Sequence, residues 1–388
     1  MVRTKRNIAL FFAVYFLQGM CFYGPVATLY RQSCGLTVLD ITVIESICLG
    51  LMLALELPWG WVADRIGHRR TIVLCTVLFA LSKVVFWRAE TFGGFLLERV
   101  LLAVALSGLS GCDSAYLYAC VGEENGQRAF GLWEASQTAG LLVAAACSSL
   151  FLRDDYRLAG LWTVWSYGLA ALLVFFLGEP KEDRTAAPAD RPKAALPAAL
   201  RQSLSMAPFL LGAALLAETS QFATVFLNQL VYRRAGIPTA WFGVLYGLVT
   251  LASLLGARSQ ALTARLGTRR GGAVLFLTGA AACVLMALLP VPAAAVGGMV
   301  LLRVSAALFS PLSLAVQNGA AHPAARATQL SCNAMVLDVV AIAVNPAFGS
   351  AADRGVPLAL VVGAAACGAG LALFLWGTRK PFSPKDRN

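Results

Sequence analysis

From residue 7 to residue 377 the chain alternates long apolar runs with short polar or Pro/Gly-containing breaks. The runs cover 7–30, 39–61, 71–89, 91–121, 129–152, 158–178, 207–231, 239–257, 271–290, 293–319, 328–351 and 356–377, twelve in all. A transmembrane helix needs about 20 consecutive, mostly apolar residues, so the pattern predicts twelve membrane-spanning helices and an all-α integral membrane fold. The first run is too long for a secretory leader and no small-residue cleavage site follows it, so it is expected to stay as an anchor. The longest hydrophilic stretch, 179–203, mixes Pro, Ala and charge and reads as a linker. It divides the runs six and six. The expected organisation is an N-terminal six-helix bundle over 1–178, a cytoplasmic linker over 179–206 and a C-terminal six-helix bundle over 207–388.

Composition strengthens this picture. Hydrophobic residues make up 59% of the chain, charged residues 13%, and the mean hydropathy is +0.72. Soluble domains hold roughly 45–50% apolar and about 25% charged residues. The net charge of +11 would suggest nucleic acid were it not for its placement. Of the 31 Lys and Arg, 21 fall in breaks on the side of the N-terminus, seven on the opposite side and three inside runs. Positive residues gather on the cytoplasmic side of membrane proteins. Both termini are therefore expected in the cytoplasm, and no nucleic-acid partner is expected. Most of the ten cysteines lie within apolar runs and read as small buried hydrophobes; Cys34 alone is placed near the outer surface.

The two sets of six runs match at an offset near 200. GWVADRIGHRR (60–70) has a worn counterpart in QALTARLGTRR (260–270): Arg65, Gly67, Arg69 and Arg70 map onto Arg265, Gly267, Arg269 and Arg270, whereas Asp64 becomes Ala264 and Gly60 becomes Gln260. Gln18 lines up with Glu218, Arg99 with Arg303, and Asp113 with Gln317. A series that follows the topology in this way is the signature of an internal duplication.

In this setting Gly60-x-x-x-Asp64-Arg65-x-Gly67-x-Arg69-Arg70 resembles the loop motif of the major facilitator superfamily. His68 stands where that pattern has a basic residue. ELPWGWVADR (56–65) and SGCDSAYLY (110–118) are similar to stretches of a large, mostly bacterial branch of the family, whereas the Gly-Pro pair of its antiporters is missing from GLLVAAACSSL (140–150). The resemblance implies a transporter in the bacterial inner membrane, acting as a monomer, with runs one, four, seven and ten around a central cavity. Gln18, Arg99, Glu218 and Arg303 would then point inward.

A charge at the bilayer centre costs about 2.5–3.5 kcal/mol on insertion scales, so charges inside the runs need a reason. Ten ionisable residues lie there: Glu45, Glu56, Lys83, Glu98, Arg99, Asp113, Glu134, Glu218, Arg303 and Asp338. Glu56, Asp113 and Glu134 are expected to pair with Arg65, Arg69 and Arg128 and latch helices together. Glu45 and Glu98, near the outer ends, are expected to be solvated or to orient helices. Glu218, Arg303 and Asp338 lie about midway along their runs. Glu218, Gln221, Val225, Asn228 and Gln229 share about 100° of arc on an ideal helix, a stripe expected to face a water-filled cavity. Arg99 to Asp113, and Arg303 through Ser310 to Gln317, trace similar lines. Tyr15 and Phe22 share a face with Gln18 and are expected to form an apolar wall.

The expected substrate site is therefore Tyr15, Gln18, Phe22, Arg99, Glu218, Gln221, Arg303 and Ser310, with Glu218 and Asp338 exchanging a coupling proton. Gly60, Asp64, Arg65, Gly67, Arg69, Arg70 and Asp113 are expected to gate access. Arg99 and Arg303 suit an organic anion; the acidic residues equally suit a lipophilic or cationic drug carried outward. An enzyme is not expected: His68 and His322 both fall in breaks, the runs contain neither HExxH nor GxSxG, and no cofactor or metal is implied.

Overall fold

A computed structural model describes residues 2–122, 126–152, 155–179, 201–321 and 326–379. The expected linker falls outside them from 180 to 200, as does His322. Among the described residues the regular structure is helical throughout, as it must be where no water satisfies backbone groups. The helices are α1 (Val2–Gly19), α2 (Ala27–Ser33), α3 (Val38–Ile66), α4 (His68–Arg88), α5 (Phe92–Leu109), α6 (Cys112–Val121), α7 (Gly126–Cys147) and α8 (Tyr156–Val174). They continue with α9 (Ala207–Gln221), α10 (Asn228–Arg234), α11 (Phe242–Ala252), α12 (Ser259–Leu288), α13 (Pro292–Ala320), α14 (Arg326–Arg354) and α15 (Val356–Gly377).

Among the described residues eleven stretches are long and apolar enough to cross a membrane, against twelve expected runs. The difference lies in Thr239–Leu288, a 50-residue stretch that accommodates both the eighth and the ninth run. At about 1.5 Å per residue it far exceeds one crossing, and it bends at Gly267, where φ is 74° and ψ is 163°. Gly67, its partner in the duplicated motif, has φ 88° and ψ 148°. Glycine adopts this conformation without the steric cost a Cβ would bring, so both motif copies turn the chain in the same way.

Several runs are interrupted inside. The first divides after Gly19, and the fourth between α5 and α6 at Gly111, with φ 83°. In the seventh, a π-helical segment, Phe222–Leu227, separates α9 from α10. A second π segment, Ser148–Leu152, follows α7.

The chain packs as two units. The first comprises Met1–Leu36, Ile47–Ala189 and Thr239–Gly247; the second comprises Thr37–Ser46, Asp190–Pro238 and Leu248–Asn388. In the first unit Phe11 packs on Tyr15, Tyr116 and Trp133 with ring centroids 4.5, 5.9 and 5.7 Å away. α1 and α7 cross backbone to backbone at Gly19 and Gly140, where a Cβ would collide with the carbonyls of Gln137 and Phe16. In the second unit Phe209, Phe276, Phe309 and Phe374 form the core. Leu150, Phe151, Trp165, Leu172, Phe176 and Leu288 are all more than half exposed, which suits hydrocarbon rather than water as surroundings.

Overpacking a close crossing costs about 1–3 kcal/mol or more. Gly140→Leu is therefore expected to lower the thermal unfolding midpoint of the purified protein by several degrees. Gly131→Leu on the same helix, where a Cβ meets nothing within 4 Å, should leave it unchanged.

Candidate functional site

The first unit gathers its intramembrane charges on one carboxylate. Glu98 on α5 is fully buried, which of the two expected roles, solvated or helix-orienting, rules out the solvated one. Lys83 Nζ donates to Glu98 Oε1 at 3.2 Å and to the Tyr23 hydroxyl at 3.0 Å. Arg31 and Arg99 approach Glu98 Oε2 to 3.9 and 3.5 Å. Aromatic rings complete the surroundings. The Lys83 ammonium lies 5.0 Å from the Phe79 centroid and 5.5 Å from that of Tyr167, and the Arg31 guanidinium lies 5.3 Å from Phe86. Cation–π attraction strengthens in desolvated sites of this kind. Arg99 is the cation of the group that keeps appreciable exposure, at 20%.

Of the expected apolar wall, Phe22 lines an open apolar pocket of the first unit together with Leu17, Met20 and Trp162. Tyr15 is buried in the core and donates its hydroxyl to Asp113 Oδ2 at 3.3 Å. Asp113 thus meets a tyrosine rather than the arginines expected of it. Phe22 is buried with its ring 5.4 Å from Trp162, and its backbone amide donates to Thr163 Oγ1 at 3.0 Å. Gln18 is also buried; Tyr167 donates to its backbone carbonyl.

The second unit holds an open cavity of about 320 Å³ between α9, α13 and α14, within the range of small-molecule sites. Glu218, Asp338, Ser310, Ser313 and Gln317 supply its polar groups, and Phe309, Leu330 and Leu337 are among its apolar wall. None of the residues lining it is Lys or Arg. Arg303 is half-buried on α13 but lies outside the lining, and Gln221 is exposed elsewhere. Asn345 faces Glu218 within hydrogen-bonding reach, and Asp338 and Glu45 are close enough for their charges to act on it. Like charges held close in a cavity repel each other.

The stripe drawn through Glu218, Gln221, Val225, Asn228 and Gln229 breaks up: Asn228 and Gln229 are buried in protein. The π segment is the physical reason. Its i→i+5 bonding takes an extra residue per turn, so residues beyond Phe222 rotate away from the face an ideal helix assigns them.

From the cavity a chain of buried side chains runs through α13 and α14. Gln317 donates to Ser313 and accepts from Asn333, both at 3.1 Å. Gln329 donates to Asn333 at 3.1 Å and to Ser203 at 2.9 Å, and Ser203 donates to Asn333 at 2.8 Å. Neither Gln329 and Asn333, a polar pair at i and i+4, nor Ser203 was among the expected site residues. Their spacing was the available signal, and the absence of charge hid it.

In the loop motif Arg69 donates to the carbonyls of Leu177 at 2.6 Å and Phe175 at 3.3 Å, and pairs with Glu179 at 3.7 Å. Arg65 stacks on the Trp61 ring at 3.7 Å. Asp64, Gly60 and Arg70 are exposed, as are Glu56, Glu134 and Arg128; among the described residues the two glutamates form no latch with the motif arginines.

Such a helical membrane protein, with an interior cavity and buried charges, has the architecture of a polytopic transporter. The family model of the Major Facilitator Superfamily matches residues 8–345, and the chain belongs to that family. Its apolar helices make it a multi-pass membrane protein of that family of transporters. The inner membrane transport protein YnfM of Escherichia coli (strain K12) is 26% identical over 259 residues, covering 66% of this chain and 61% of that protein. The match thus spans about three-fifths of the relative. Among solved structures, the nucleoside transporter NupG aligns with a TM-score of 0.81 at 16% identity over 98% of this chain and 100% of its own. A bacterial homolog of the human lysosomal transporter Spinster aligns with a TM-score of 0.77 at 16% identity, over 97% of each chain. At that identity the likeness is one of fold.

Removing one partner of a buried ion pair costs about 3–5 kcal/mol, because the other charge is left uncompensated. Glu98→Gln is expected to destabilise the protein on that scale, and adding Lys83→Met should recover part of the loss. Thermal unfolding of parent, single and double variants checks this; a Glu98→Gln protein as stable as the parent would place water inside the cluster.

Proposed function

We propose that the protein is a secondary active transporter of the cytoplasmic membrane, working as a monomer by alternating access and coupled to protons through Glu218 and Asp338. Two bundles, 1–178 and 207–388, rock about a site near the midplane, with both termini in the cytoplasm. The observation that carries this reading is the cavity of the second unit, where two carboxylates share an apolar pocket with no lysine or arginine in its lining. A carboxylate there is neutralised by a proton or by a bound cation, so the two compete for one site. Competition of this kind couples the movement of one to that of the other.

The same observation orders the two substrate readings. The organic anion rested on Arg99 and Arg303, yet Arg99 turns its Nε to Glu98 and Arg303 lies outside the cavity lining. An amphipathic organic cation fits better: its charge meets Glu218 and Asp338 and its apolar body meets Phe309, Leu330 and Leu337. Exchange of such a cation for protons is the reaction this site supports.

Two measurements follow. In proteoliposomes loaded with tetraphenylphosphonium as probe, Glu218→Gln should abolish movement driven by a pH gradient while leaving counterflow of labelled for unlabelled probe; driven movement at the parental rate would remove Glu218 from the mechanism. Asp64→Asn in the loop motif should slow the cycle severalfold without altering the ranking of competing cations. A changed ranking would make the motif part of the binding site.

A further inference from the structure

Of the α13 residues that line the cavity of the second unit, Gln317 stands nearest the connection to α14. Its side-chain amide is held from behind. Gln317 Nε2 donates to Ser313 Oγ and Gln317 Oε1 accepts from Asn333 Nδ2, both at 3.1 Å. Asn333, Gln329 and Ser203 are buried, and none of them lines the cavity. They bond to one another, Gln329 to Ser203 at 2.9 Å and to Asn333 at 3.1 Å, and Ser203 to Asn333 at 2.8 Å. A satisfied buried network of this kind rigidifies the groups it holds. A glutamine amide has two N–H donors and two carbonyl lone pairs. Among the described residues nothing else bonds to the Gln317 side chain, so one N–H and one lone pair remain, and Ser313 keeps its O–H.

The carboxylates occupy the other end of the cavity. Asn333 and Gln317 meet, and from that contact both helices can be followed away from the α13–α14 connection. Asp338 lies five residues beyond Asn333 and Ser310 seven residues before Gln317, about 7.5 and about 10 Å along the helices at 1.5 Å per residue. Glu218 is close enough to Asp338 for their charges to interact. Ala213, Ala214, Ala217 and Ala334, all in the lining, leave room between the two ends.

An amide network that served packing alone would close on itself. This one ends on two groups in the cavity wall that still have donors and an acceptor to give. Leu314 and Leu330, their neighbours in the lining, offer no side-chain partner. A polar group left unmet when a ligand displaces its water costs free energy. A site built in this way favours a ligand that brings a polar atom to it over one that brings a methyl group.

We propose that Gln317, with Ser313, is a specificity-determining subsite for a hydroxyl, ether or carbonyl oxygen carried about 8 Å from the charge of the cation, and that Asn333 is its positioning residue. This rests on the cation reading above and gives it a second point of contact. The cargo is then a cation with an apolar spacer and a polar far end, and a purely lipophilic ion such as tetraphenylphosphonium uses only part of the site. Asn333 touches no cargo. It fixes the direction in which the Gln317 amide faces.

Titration calorimetry of the full-length protein in lipid nanodiscs tests this. The probes are quaternary ammonium ions on alkyl chains of graded length, each ending in a hydroxyl and paired with its methyl-ended isostere. At the length that spans the cavity the parent should bind the hydroxyl form about tenfold more tightly than the methyl form, and at shorter lengths no more tightly. Gln317→Leu should reverse that order, because the hydroxyl is then desolvated without a partner, while the affinity for the methyl form holds. Asn333→Leu should bring the ratio close to one. A loosened fold would weaken both members of a pair, so the ratio separates recognition from stability, and the parent series decides alone if a variant does not fold. Equal affinity for both members at every length in the parent, or an unchanged ratio in Gln317→Leu, would overturn the subsite and leave the cation reading standing. A parent that binds neither series would remove the cation reading itself.

Discussion

The cost of holding charge away from water constrains every functional feature of this molecule. A charge inside a bilayer must find a protein partner, a cavity or a ligand, and the two units use different solutions. In the first, Glu98 gathers Lys83, Arg31 and Arg99, and rings of Tyr23, Phe79, Phe86 and Tyr167 complete the shell. Three cations there converge on one carboxylate of the same unit, which ties α2, α4 and α5 together. In the second, Glu218 and Asp338 open onto a cavity. The first arrangement joins three helices through one carboxylate; the second is the one on which the proposed competition of cargo and proton rests.

The same economy governs the helix ends. A helix start exposes amides without intrahelical partners, and here those at α3 and α11 are met by Asp353 and Ser149. At its far end α3 carries the loop motif, where Arg65 stacks on Trp61 and the chain turns through Gly67. One 29-residue helix thus links the loop motif to the α14 contact. Glycines make both ends possible, Gly67 by its positive φ and Gly349 by the absence of a side chain where α14 crosses.

The repeating features of the chain were the ones its sequence made readable. Apolar run length located the crossings, and the 200-residue offset placed Gly67 opposite Gly267, which share one backbone conformation. Depth and helical phase singled out Glu218 and Asp338, which line a common cavity. Features that depend on a distant partner were not readable. Glu98 sits near the end of its run, and only the fold brings Arg31 and Lys83 to it. Asp113 was matched to arginines by charge, whereas the kink at Gly111 accompanies an approach to Tyr15. Residues beyond Phe222 were phased on an ideal helix that the π segment interrupts. Periodicity reports the geometry of one uninterrupted element, and each of these errors crosses a break or a helix boundary.

The central claim is that a cation and a proton compete for the carboxylates of one cavity, and proton release on binding reads this most directly. Titration calorimetry of tetraphenylphosphonium into the purified protein, in buffers of different ionisation enthalpy across the neutral pH range, counts the protons displaced. The account predicts about one proton released per cation bound by the parent, and none by Glu218→Gln. Binding without proton release in the parent, or undiminished release in the variant, would contradict it.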